Sequence, residues 1–110
     1  MLEILKIIPV IATIYHAEPA QTNADYWHTA NMSVIDTINP GKHRWIAVSR
    51  NLEKEGFTLG KVVIVSGAGD MNGEWTIQDR MNKKYCDRID FLVNKEMKYG
   101  KWDNTKIELK

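Results

Sequence analysis

Two aspartates eleven positions apart, Asp79 and Asp90, bracket the stretch Asp-Arg-Met-Asn-Lys-Lys-Tyr-Cys-Asp-Arg-Ile-Asp. Two carboxyls gathered in one site have a defined chemistry. Each disfavours the other's ionisation, so one pKa rises and that group becomes a proton donor near neutral pH. The same stretch carries Arg80, Lys83, Lys84 and Arg88, and each nearby cation pulls a carboxyl pKa down instead. The residues by themselves therefore leave two readings, an acid–base pair or a salt-bridged turn, because exposed charge clusters are common and individually weak.

Any pairing of the two depends on the elements that carry them. The segment EWTIQD alternates as a strand, and residues two apart in a strand share a face, so Trp75, Ile77 and Asp79 are expected to point inward together. In RIDFLV the same rule puts Ile89, Phe91 and Val93 on one face and Asp90 and Leu92 on the other. Further strands are expected over Ile7 to Tyr15, Ser33 to Ile38, Arg44 to Ser49, Lys61 to Ser66 and Lys106 to Leu109. Asn39-Pro40-Gly41 reads as a turn. Asn51 to Glu55 reads as a brief helical turn closed at Gly56, and Asn94 to Tyr99 as a short helix ended by Gly100. SGAGDMNG lacks the spacing of a phosphate-binding loop and precedes a strand, so a hairpin turn is expected there. Six or seven short strands with one or two short helices make a mainly β domain. A barrel is the first expectation and a sandwich the second.

At 110 residues, 44% of them hydrophobic, the chain fits one domain: residues 1–11 as an extension or first strand, and 12–110 as a single barrel. A net charge of +1 with no basic run argues against nucleic acid as a partner. The apolar start is broken by Glu3, Lys6 and Pro9 and falls short of the roughly 20 residues of a membrane span. The basic and uninterrupted apolar regions of a signal peptide are also not visible, which does not establish a cytoplasmic location. The lone Cys86 cannot form an internal disulfide and reads as incidental. His16 and Glu18, with His28, form a conceivable but signature-free metal set, so no metal and no cofactor are expected. The polar segment Ala17 to Ala30 reads as a long loop, in which Tyr26 or Trp27 could stack on a sugar, with Gln21 as a polar neighbour, or could simply pack the loop down. His43 reads as a solvated turn residue, and Trp45, Trp75 and Trp102 as core.

The order Thr29-Ala30, Trp45-Ile46-Ala47-Val48-Ser49, Leu59 to Val65, Trp75 to Asp79, then Arg88-Ile89-Asp90-Phe91 and Tyr99-Gly100 resembles the three-aspartate domain. That family is a six-stranded double-psi β-barrel related to membrane-bound lytic transglycosylase A and to rare lipoprotein A. The likeness runs from about Ala12 to Leu109. It implies a peptidoglycan-active protein that cleaves the bond between N-acetylmuramic acid and N-acetylglucosamine and leaves a 1,6-anhydro product. Asp90 corresponds to the catalytic acid and base, with Asp79 across the groove raising or orienting it. Thr29, Ser49, Tyr26, Trp27 and Arg88 are the expected substrate contacts. The resemblance also implies an exported, periplasmic or cell-envelope protein, a monomer whose partner is a glycan strand. Ser49 stands where the family has its first aspartate, and Arg80-Met81-Asn82 replaces the glycines after the second. These departures leave a non-catalytic glycan- or protein-binding barrel as the alternative.

Overall fold

The computed structural model describes residues 6–17 and 27–110. The strands are β1 (Ile7–Tyr15), β2 (Trp45–Val48), β3 (Val62–Ser66), β4 (Gly73–Arg80), β5 (Arg88–Leu92) and β6 (Lys101–Leu109), with one helix, α1 (Arg50–Lys54), between β2 and β3. They close into a barrel in the order β1-β5-β2-β4-β3-β6. The chain is thus mainly β and six-stranded, as the short β-branched runs imply. Closure leaves no long sheet edge unpaired. Pro9 sits where β1 pairs only with β6, since pairing with β5 begins at Ile11; the missing N–H costs nothing there. Strand β1 continues through residues 11 and 12, with a register shift against β6 between Val10 and Ala12.

The pairing maps onto itself when β1, β2 and β3 are exchanged with β4, β5 and β6. Parallel β1/β5 becomes β4/β2, antiparallel β1/β6 becomes β4/β3, and the antiparallel pairs β2/β5 and β3/β6 map onto themselves. No internal sequence repeat announces this two-fold arrangement.

The interior is filled by Ile46, Val48, Phe57, Val63, Val65, Trp75, Ile77, Ile89, Phe91 and Ile107, with Leu52 of α1 closing one end. Each such aliphatic or aromatic side chain contributes about 1.5–3 kcal/mol when fully buried. Phe91 lies between Trp75, at 4.6 Å, and Trp102, at 5.6 Å edge-on. A smaller apolar cluster of Tyr15, Ile35, Ala47, Met81 and Leu92 covers part of the barrel's outer face. Trp45 packs on this outer cluster, not in the interior, and stacks on His43 at 4.0 Å. His43 is therefore no solvated turn residue: its Nε2 also accepts the Asp36 N–H.

Three element expectations change. Residues 33–38 make only an isolated bridge, Val34 to His28, because the closed barrel offers no edge to join; the segment instead lays Ile35 on the outer face. Residues 94–99 form one turn, not a helix. Six residues are too few to nucleate one unaided, and Asn94 is committed to bonds with Gly41 and Asn39. The last strand begins at Lys101, five residues before its expected start. The β3–β4 connection is the expected hairpin, with a 3-10 turn at Gly69–Met71 and positive φ at Gly67, Gly69 and Gly73.

Candidate active site

Strict alternation would send Asp79 into the barrel with Trp75 and Ile77. It does not go there. Along the parallel β2/β4 pair, Ile46 faces Ile77 but Ala47 faces Asp79, so Gln78 is an extra residue, a β-bulge. The bulge resets the alternation and turns Asp79 to the outer face. On the other side of β2, Ala47 faces Asp90, and Asp90 in turn faces Thr13 of β1. Four neighbouring strands therefore present one row, Thr13, Asp90, Ala47 and Asp79. At the usual strand spacing the two aspartate Cα atoms are about 10 Å apart, with only the Ala47 methyl between them.

Asp90, Ala47 and Asp79 of this row form the floor of an open groove of about 660 Å³. Tyr15, Met81 and Tyr85 are its walls, and Arg50, Arg80 and Lys84 its cationic rim. That volume lies within the range of small-ligand sites. Two of the rim cations are committed to other partners. Arg80 grips Glu53 with both arms, at 2.7 and 3.2 Å, and Arg50 donates to the Met81 carbonyl at 3.2 Å. Neither Asp79 nor Asp90 forms an ion pair with a described residue. The salt-bridged-turn reading does not describe the two aspartates: Arg80 is held by Glu53 of α1, and the carboxylates face the groove.

Burial raises the pKa of both carboxyls above the ordinary aspartate value. For Asp79 this is opposed by the Ala30 and Arg80 backbone N–H groups, both 3.0 Å from Oδ1, and by the Tyr15 hydroxyl 3.5 Å from Oδ2. For Asp90 it is opposed by the Thr13 hydroxyl, which donates to Oδ1, and by the charge of Arg88. Mutual repulsion between the aspartates is not the cause, because the Ala47 strand separates them. Tyr15 responds to both: burial, then the charges of Asp79 and Asp90, push its phenol well above its usual value. It stays a neutral donor in the groove.

Sequence reasoning passed over Tyr15 and Thr13, whose β-strand setting gave no signal apart from their shared outward parity. Of the other expected contacts, Thr29 is buried and its Oγ1 accepts the Ser33 N–H, while its neighbour Ala30 holds Asp79. Ser49 is fully buried and structural: its Oγ donates to Asn51 and accepts the Arg88 N–H. Such a hydroxyl cannot touch a ligand in the groove. Trp27 is half exposed beside His28. Arg88 opens on a neighbouring pocket. Tyr26, Gln21 and Glu18 lie outside the described residues.

Compared with family models, curated proteins and solved structures, the chain matches none.

Proposed function

We propose that this chain is a glycan-cleaving barrel of the three-aspartate, double-psi kind, exported to the cell envelope and acting as a monomer on peptidoglycan strands. The observation that carries the proposal is the placement of two carboxyls with burial-raised pKa on one floor of an open groove, with no cation bound to either. The two-fold pairing scheme of the barrel, with its two parallel contacts, supports the double-psi reading.

Asp90 is the acid and base. Its proton goes to the glycosidic oxygen as the bond from C1 of N-acetylmuramic acid breaks. The resulting carboxylate takes the proton of that sugar's C6 hydroxyl as O6 bonds to C1. The ring closes as a 1,6-anhydro product, no water is consumed, and Asp90 is left protonated as it began. A single residue thus serves both half-steps, unlike the carboxylate pairs of hydrolysis. The Thr13 hydroxyl suits this role because it can orient either protonation state. Asp79 receives two backbone N–H bonds that favour its ionised form, which suits it to stabilise positive charge developing at C1.

The test is digestion of purified peptidoglycan with mass spectrometry of the products. The wild type yields 1,6-anhydro muropeptides, Asp90→Asn yields none, and Asp79→Asn is slowed by about 10²-fold or more. If the wild type binds strands but releases no such product, the chain is the alternative binding barrel. The buried Ser49, standing where the family has its first aspartate, favours that second reading.

A further inference from the structure

Beside the groove, on the other side of the Thr13–Ile14 stretch of β1, lies a second pocket of about 280 Å³. Arg88, Lys98 and Lys101 all open on it, together with Tyr99 and Gly100. The charge of Arg88 is felt by Asp90, but no acid among the described residues forms an ion pair with Arg88 or Lys98. Arg88 forms no ion pair or side-chain hydrogen bond with any described residue, and its Nε is the one buried side-chain nitrogen or oxygen among them without a hydrogen-bond partner. Lys101 has only a loose exposed contact, 3.6 Å to Asp103. Native folds seldom leave a buried donor unsatisfied.

Arg88 is also held in place. Its backbone N–H donates to Ser49 Oγ at 3.0 Å, its carbonyl accepts the Ser49 N–H at 2.9 Å, and its guanidinium lies 4.9 Å over the Tyr85 ring. The two Ser49 bonds anchor its main chain and the Tyr85 ring backs its guanidinium, and a planar fork with an unpaired donor suits a carboxylate or phosphate edge. At Gly100 a Cβ would come 2.8 Å from Trp102 and 3.0 Å from Ile14, so only glycine lets this wall pack against the barrel.

We propose that this pocket is an oxyanion-binding subsite continuous with the aspartate groove, in which Arg88 and Lys98 hold a carboxylate or phosphoryl group of the ligand whose glycan lies over Asp90. Only the glycan identity of that ligand rests on the function proposed above. The groove and the pocket share Ile14, and Thr13 reaches Asp90 from the pocket's wall. A strand crossing Asp90 therefore meets Arg88 with its next acidic substituent. In a muramic acid residue that substituent is the lactyl carboxylate.

The Arg88 Nε–H resonance reports the site directly. At constant ionic strength the protein is titrated with N-acetylmuramic acid, with N-acetylglucosamine, which lacks the carboxylate, and with inorganic phosphate. A saturable Arg88 shift with N-acetylmuramic acid and none with N-acetylglucosamine supports a carboxylate source; a shift with phosphate alone supports a phosphoryl source. No saturable shift with either anion overturns the proposal. Lys98→Gln, at an exposed position that leaves folding intact, weakens the anion response by about two- to fivefold, and an unchanged response also overturns it. A wild type that shows the Arg88 response but releases no 1,6-anhydro product keeps the subsite and loses the cleavage reading. Loss of the cleavage reading and loss of the subsite are therefore distinguishable.

Discussion

Deleting Gln78 tests whether the bulge sets the face on which Asp79 stands. In the native ladder Gln78 is the residue without a β2 partner, so its removal leaves Ile77 opposite Ile46 and Asp79 opposite Ala47 in a regular register. Asp79 stays in the groove, and Met81 stays on the outer cluster. The cost follows from the bonds lost. Gln78 Oε1 accepts from Asn31 Nδ2 at 2.7 Å and Ser33 Oγ at 3.1 Å, and its carbonyl accepts the Asn31 N–H at 3.0 Å. The side-chain bonds are at or near the surface and are worth about 0.5 kcal/mol each, and the backbone bond about 1, so the deletion costs about 2 kcal/mol and Gln78→Ala about 1. Both are small beside a domain stability of about 5–15 kcal/mol, and both variants fold. Urea denaturation measures the loss, and carboxyl carbon NMR titration follows Asp79. A deletion variant that does not fold refutes the reasoning. So does one in which Asp79 titrates like an exposed aspartate while Asp90 is unchanged.

Three further outcomes are expected. Because burial raises the folded-state pKa of Asp79 and Asp90, the stability these groups allow is fully present below the unfolded value of about 3.9 and is lost as pH rises through the folded value; Asp79→Asn and Asp90→Asn therefore gain on the wild type in urea melts at pH 7 and lose that advantage at pH 3. Tyr15→Phe removes a donor that lowers the Asp79 pKa, so in a carboxyl titration Asp79 moves further up while Asp90 does not move by the same route. Gly67→Ala places a Cβ 2.3 Å from the Asn104 carbonyl oxygen at a φ of +78°, which costs about 2–3 kcal/mol in denaturant melts; the residue is remote from the groove, so Asp79 and Asp90 titrate as before.

The elements were legible where one face of a strand is buried against the barrel interior. Alternation in Arg88-Ile89-Asp90-Phe91-Leu92 gives both the strand and the outward face of Asp90, and the glycines of SGAGDMNG give the β3–β4 hairpin. It misled at Ser33 to Ile38 and at Asn94 to Tyr99, where composition suits a regular element but no partner is available. A strand needs an edge to pair with, and a six-residue helix needs tertiary support. Neither condition can be read from the segment itself.

The site was half legible, for a reason that concerns β-sheets in general. A side-chain period of two makes every residue's face depend on the register before it, so one unpaired residue inverts all that follow. Gln78 carries no sign of this: it is polar and sits at an outward position of an ordinary-looking strand. The bulge is a feature of the β2/β4 pairing, which joins residues more than thirty positions apart. The pseudo-two-fold arrangement then sets what surrounds the bulge. Exchanging the halves carries the β4/β2 pair Asp79 and Ala47 onto the β1/β5 pair Thr13 and Asp90. The row is thus built from two equivalent positions on each side of the β2/β5 contact, filled differently in each half. One inner position keeps a carboxyl, Asp90. The other keeps a methyl, Ala47, which leaves the space a ligand must enter. A larger side chain at Ala47 would close the groove without altering either aspartate, so the smallest residue in the row does as much to make it a site as the two charged ones.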